Sequence, residues 1–231
     1  MANSRFRNSA DWLWRMIRYN LKIIFANRFI WFLLAAIGFF ILVTLITLFS
    51  GGTMSSSTVF YLILYPGLLL VFYPTVFGIQ NDEDTRILEI LFGIPDYRYK
   101  VWLVRLIIIF LLVFIILLGL SALSSWALIQ FNYLHMAYHL MFPVFFMGSL
   151  AFMVSTIIRN GIGTAVVMVI IGVFFTALMD IVERTKWNIF LNPFSMPDDM
   201  SEAAWMSIIQ DNRLILFVGI ILSILAGLLS L

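Results

Sequence analysis

His135 and His139, the two histidines of the 231-residue chain, stand four residues apart. At that spacing two imidazoles share one face of a helix, which suits a metal or a haem iron. No third ligand of suitable type lies nearby in sequence, and a histidine at the solvated mouth of a span is ordinary. Metal or haem and a bland structural role therefore both stay open for the pair. Gly148-Ser149 offers a hydroxyl, but no GxSxG turn surrounds it and no histidine partner is apparent, so the dipeptide reads as close helix packing. With no cysteine, the chain has no disulfide, thiolate ligand or thiol nucleophile. Neither a GxxxxGK[ST] phosphate loop nor an HExxH motif occurs, so ATP is not bound through that device, and the chain reads as a non-enzyme with no cofactor of its own.

The elements that must carry these residues are membrane spans. About 63% of the residues are hydrophobic and 11% charged, against roughly 45–50% and 25% in soluble domains. A net charge of +2 gives no reason to expect nucleic acid. Charge-free apolar stretches of about 20 residues predict an all-α integral membrane protein, a single transmembrane domain over 1–231 with six spans. They are expected at 29–49, 59–79, 101–129, 137–158, 162–179 and 214–231. The first run is too long for a signal peptide and reads as an anchor. Tyr65-Pro66 and Tyr73-Pro74 remove backbone donors inside the second span. That loss suits either a packing kink or a flexible span lining a route through the membrane.

Orientation follows from the basic residues. The N-terminal segment, the loop between spans two and three and Arg159 together hold 11 of the 14 Lys and Arg. Arg184, Lys186 and Arg213 fall on the other side, among Asp180, Glu183, Asp198, Asp199, Glu202 and Asp211. By the positive-inside rule both termini are expected in the cytoplasm. The span interiors are nearly free of charge, whereas ion-coupled transporters keep carboxylates or histidines there. Any transport must then draw its energy from another subunit.

Three segments stand out between the spans. Over 10–26, Arg15, Arg18 and Lys22 form a basic stripe backed by Trp12, Leu13, Met16 and Ile17. That pattern describes an interfacial helix, either a topogenic anchor or an elbow that positions the first span. Over 80–95, Asp82-Glu83-Asp84 lead into Ile87-Leu88-Glu89-Ile90-Leu91 and stop at Gly93 and Pro95. This predicts a short cytoplasmic helix with more apolar surface than a solvated loop needs, serving to dock a partner or tucked onto the membrane domain. The stretch 180–213 is the longest polar one. It reads as a pair of short helices at the outer interface, with Trp187 and Trp205 at headgroup level, either gating or capping.

This order of elements resembles the membrane subunits of the type-two class of ABC transporters, exporters with the type V fold. The motif that carries the likeness is Asp82-Glu83-Asp84-Thr85-Arg86-Ile87-Leu88-Glu89-Ile90-Leu91-Phe92-Gly93-Ile94-Pro95, similar to the family's acidic start followed by Leu-Glu-x-Leu-Leu-x-x-Pro. Arg86 and Ile87 stand where the family often has Gly-Thr. The resemblance implies that this is the coupling helix, with Glu83, Asp84, Arg86, Leu88, Glu89, Leu91 and Pro95 contacting a cytoplasmic ATP-binding subunit. It further implies an elbow helix at 10–26 and an outer helical hairpin that includes Asn192-Pro193-Phe194. Two copies of the ATPase, with ATP and Mg bound there, and a second membrane subunit, identical or paralogous, would complete the assembly in a bacterial plasma membrane. The expected function is export of a lipid-like or amphipathic substrate. The alternatives are a haem- or metal-handling subunit using His135 and His139, and a scaffold that moves nothing.

Overall fold

The computed structural model describes residues 29–49, 54–80 and 98–231. Six helices among them are long and apolar enough to cross a membrane. In chain order they are α1 (Phe29–Phe49), α2 (Ser56–Val76), α3 (Val104–Ala127), α4 (Tyr133–Ile158), α5 (Gly161–Leu178) and α6 (Glu202–Ser230). The chain is thus an all-helical, multi-pass membrane protein, as its apolar stretches predict. The shortest helix has 18 residues, about 27 Å at 1.5 Å per residue, close to the thickness of a hydrocarbon core. The elbow segment at 10–26, with Trp12, Arg15, Arg18 and Lys22, lies outside the described residues. So does the coupling motif, with Glu83, Asp84, Arg86, Leu88, Glu89, Leu91 and Pro95.

Side-chain caps mark where the helices start. Ser55 Oγ accepts the Thr58 N–H at 3.1 Å, and Asn132 Oδ1 accepts from Leu134 and His135, both at 3.1 Å. Asn160 Oδ1 accepts the Gly163 N–H at 2.9 Å, and Ser201 Oγ accepts that of Ala204 at 3.3 Å. Each bond satisfies an N–H that the helix itself leaves unpaired. α3 is entered through a π-helical turn, Arg98–Leu103. Between α4 and α5 the chain reverses within two residues, with Arg159 in the left-handed region at φ 55°.

Two starts differ from the sequence reading by more than three residues. α4 begins at Tyr133 rather than 137, because Asn132 caps it. α6 begins at Glu202 rather than 214. The pair of outer helices expected over 180–213 is therefore corrected: after α5 the chain follows turns to Met200, and 202–213 are the first turns of α6 itself. Ser201 supplies the cap, Glu202 is an acid in the first turn, and Trp205, Ile209, Asn212 and Leu216 share one buried face in helical register.

α2 and α4 form the centre of the bundle and α1 and α5 its margins. Glycines set how closely helices approach. A Cβ at Gly148 would lie 2.5 Å from Val71 Cγ2 and 3.1 Å from Phe110 Cε1. A Cβ at Gly67 would meet Leu117 at 2.8 Å and Val144 at 3.1 Å, while Gly219 and Gly227 admit the rings of Phe146 and Phe152. Small residues at crossings are how helices pack in lipid, where burial of apolar surface supplies little net drive. Gly148-Ser149 serves that purpose, with Ser149 Oγ bonded back to the Phe146 carbonyl at 2.9 Å. On the flanks Phe32 of α1 stacks on Tyr73 of α2 at 4.6 Å, and Phe110 of α3 stacks on Phe145 of α4 at 4.5 Å.

The bundle has two unlike ends. At one, Ser155 Oγ donates to the Val76 carbonyl at 2.9 Å, and the Gly161 N–H donates to Gln80 Oε1 at 2.6 Å. At the other, residues 180–201 fold over the tops of α2, α4 and α6. We call this the capped end.

Candidate functional site

Two cavities flank α4. The first lies between α2, α4 and α5, has a volume of about 560 Å³ and includes Tyr61, Leu64, Tyr65, Met147, Met168, Gly172, Val173 and Thr176 in its lining. No charged side chain lines it. It arises because α5 packs along α4 but scarcely meets α2, and because Gly172 has no atom within 4 Å of where its Cβ would be. Tyr65, Val169 and Val173 on its rim are exposed, so it opens on the side of the bundle that would face lipid or another membrane subunit. Such a space suits an acyl chain or a similar apolar body, with the Tyr61, Tyr65 and Thr176 hydroxyls as its few polar markers.

The second cavity, about 630 Å³, lies between α4 and α6 near the capped end and is lined by His135, His139 and Arg213 among apolar side chains. Arg213 is only 5% exposed. Its Nε donates to His139 Nδ1 at 3.2 Å, its Nη1 to Asn212 Oδ1 at 2.8 Å and its Nη2 to the Leu191 carbonyl at 3.1 Å. Because arginine can only donate, His139 Nδ1 must be unprotonated. In the neutral ring the proton then sits on Nε2 and is donated to His135 Nε2, 3.0 Å away. The imidazoles meet edge-on at 4.4 Å between centroids, and Phe194 lies against both. Both ring nitrogens of His139 are thus engaged with protein groups. Among the described residues no group of three or more His, Cys, Asp or Glu is placed to hold a metal ion.

Three buried asparagines hold this arrangement. Asn212 Nδ2 donates to the carbonyls of Lys186 (2.9 Å) and Asn188 (2.8 Å). Asn188 Oδ1 accepts from the Phe190 N–H at 3.0 Å and Asn192 Oδ1 from that of Phe194 at 3.0 Å, each fixing a turn. Asn192 Nδ2 also donates to Ser57 Oγ (2.9 Å) and the Ser57 carbonyl (3.0 Å) at the start of α2. Trp205 adds a bond from Nε1 to the Pro193 carbonyl at 3.2 Å. It is 4% exposed and packs with Leu191 and Ile209, while Trp187 stands out in the open. Arg184–Asp199 at 2.8 Å and Lys186–Asp211 at 3.2 Å add exposed ion pairs, the kind worth roughly 0–1 kcal/mol each.

His135 and His139 are therefore brought together as the i, i+4 spacing requires. Arg213, Asn188, Asn192 and Asn212, which the sequence reading left in an outer loop, complete the cluster. Their signal was chemical rather than positional: an Asn-Arg dipeptide directly before an apolar run, in a chain that spends few charges. Comparison with family models, curated proteins and solved structures returns no match for this chain.

Proposed function

We propose that the chain is the membrane subunit of an ATP-driven exporter of the type-two ABC class, moving a lipid-like or amphipathic substrate. The observation that supports this reading best is the lateral apolar cavity of about 560 Å³ between α2, α4 and α5, whose lining contains no charged side chain. A cavity of that kind accepts acyl chains and offers no group through which an ion gradient would be coupled. The energy would then arrive from separate cytoplasmic ATPases carrying ATP and Mg. Two copies would act on this chain paired with a second membrane subunit.

In this reading the segment 80–95 receives the ATPase. The chain leaves α2 and enters α3 at the end opposite the capped end, the end that the basic residues assign to the cytoplasm. Motion of the ATPases would tilt α2 and α3 together and change access to the cavity between α2 and α5, which lack a continuous seam. The capped end, tied by buried asparagines, would stay rigid on the outer face.

The test is purification of the intact chain from its native membrane, with identification of copurifying proteins and an ATPase assay. A stoichiometric ATP-binding partner is expected. Leu88→Asp and Glu89→Arg should abolish its retention while leaving the membrane protein folded. A stable chain that retains no ATPase would sink the transporter reading and leave a scaffold in its place.

A further inference from the structure

Arg213 is a cation held in the bundle without an anion. Among the described residues it pairs with no carboxylate, its nearest acid in sequence, Asp211, being engaged with Lys186 at 3.2 Å. Its three acceptors, an imidazole nitrogen, an amide oxygen and a backbone carbonyl, are all neutral. A guanidinium has five N–H groups, so two remain beyond those bonds. Burying a charge in this way is costly unless a counter-charge arrives. The neighbouring cavity of about 630 Å³ is where one would fit, since Arg213 is part of its wall.

The depth is right for a membrane lipid. Arg213 lies 17 residues before Ser230, the last residue of α6, about 26 Å along the helix axis against a hydrocarbon core of about 30 Å. With the far end of α6 at one boundary, Arg213 comes close to the other, beside the level of the phosphates. The rest of the lining divides to match. Met141, Phe142, Met206, Leu214 and Phe217 offer apolar surface, and Leu214 (63% exposed) with Phe217 (52%) forms an open lateral rim. His135 and Gln210 add polar edges near the guanidinium.

We propose that this cavity binds an anionic phospholipid, its phosphate on Arg213 and its acyl chains on the Met206, Leu214 and Phe217 side. His139 and Asn212 are positioning residues: they hold the guanidinium planar against α4 and the 186–194 turns with two donors left for the phosphate. An arginine takes a phosphate through parallel N–H bonds, which is why a charge of this type, rather than a lysine, suits the site. The proposal does not depend on the exporter reading, because a lipid site of this kind serves a transporter and a scaffold equally.

The test uses the full-length chain in non-ionic detergent, with native mass spectrometry and thermal unfolding as readouts. Dioleoyl phosphatidylglycerol, dioleoylglycerol and inorganic phosphate are added separately. Phosphatidylglycerol should be retained at one copy per chain at this site and raise the unfolding midpoint. Dioleoylglycerol and inorganic phosphate should do neither. Arg213→Gln should bind phosphatidylglycerol about tenfold more weakly or worse. Leu214→Trp, at an exposed position, fills the mouth without touching the cluster and should lose the lipid while unfolding at the wild-type midpoint in detergent alone. Should Arg213→Gln fail to fold, Leu214→Trp decides by itself. Equal retention of dioleoylglycerol, an equal shift from inorganic phosphate, or undiminished binding by Leu214→Trp would each overturn the proposal.

Discussion

The two cavities on either side of α4 differ little in volume, about 560 and 630 Å³, and almost entirely in what holds them open. The one between α2, α4 and α5 is made mostly of apolar helix surfaces that fail to close, and it touches the asparagine network only at its edge, where Tyr61 hydrogen-bonds Asn192 and the Phe190 N–H donates to Asn188. The one between α4 and α6 is framed by a buried arginine and two histidines, held from behind by three buried asparagines, with two guanidinium N–H groups left over. In a membrane protein the first kind of space costs little and deforms easily, since lipid can fill it. The second kind is rigid, because any movement would strand polar groups where no water can reach them. On the exporter reading, mobility and substrate passage would fall to the α2–α5 side, and on the lipid proposal fixed recognition would fall to the α4–α6 side.

The largest effect that would break this contrast comes from removing its keystone. Asn212 is 1% exposed and serves three partners: the carbonyls of Lys186 and Asn188, and Arg213 Nη1. Asn212→Leu keeps the volume but removes the side-chain donor to the Lys186 and Asn188 carbonyls, the latter keeping its bond from the Leu191 N–H, and leaves an arginine donor without its acceptor. A buried group left unpaired costs about 1–3 kcal/mol, so with one carbonyl still bonded a destabilisation of about 2–4 kcal/mol is expected in thermal or denaturant unfolding in detergent. A variant that unfolds like the wild type would mean that the capped end is no more rigid than the α2–α5 side.

A smaller effect is expected where the two cavities share a wall. Gly148 faces Val71 across the α2–α4 crossing, with Phe110 beside it. Gly148→Ala puts a methyl where Val71 Cγ2 stands 2.5 Å away, forcing α2 outward at a cost of about 1–3 kcal/mol. Because the strain falls on the α2 side, lipid retention at Arg213 should be unchanged while ATPase stimulation by an amphipathic substrate falls. Loss of both together would show that the two sides move as one.

Much of this architecture was readable from spans alone, and the failures have a common cause. Counting apolar residues finds α1, α2, α3 and α5 to within three residues at each end, even though α3 carries buried Arg105 in its first turn. The same count cuts α6 at Arg213, since a charge ordinarily ends a span. Yet Trp205, Ile209, Asn212 and Leu216 lie in one helical register, and Ser201 caps the chain ahead of them. Burial of Arg213 depends on partners from α4 and from the 186–194 turns, up to 74 residues away. A single stretch of sequence does not contain that information. The asparagines illustrate the same point. Asn188 and Asn192 each fix a local turn, which residue type suggests, but their burial and the bond from Asn192 to Ser57, 135 residues distant, are tertiary facts. His135 and His139 stand between these cases: their shared face was implied by spacing, and what they face was not.

The smallest expected change in stability gives the sharpest separation of function. Gly172 sits within α5 on the wall of the apolar cavity, and a Cβ built there meets nothing within 4 Å. Gly172→Leu should therefore fit without strain, and replacing glycine inside a helix should stabilise by roughly 0.5–1 kcal/mol. The new side chain occupies the space that an acyl chain would use. Unfolding should occur at or slightly above the wild-type midpoint, and phosphatidylglycerol should remain bound at Arg213. Stimulation of the partner ATPase by an amphipathic substrate, however, should fall severalfold. If stimulation persists in a stable Gly172→Leu protein, the substrate does not pass between α2 and α5, and the α4–α6 side would have to carry transport as well as lipid recognition. That outcome would reverse the roles of the two cavities, which no measurement of stability alone could do.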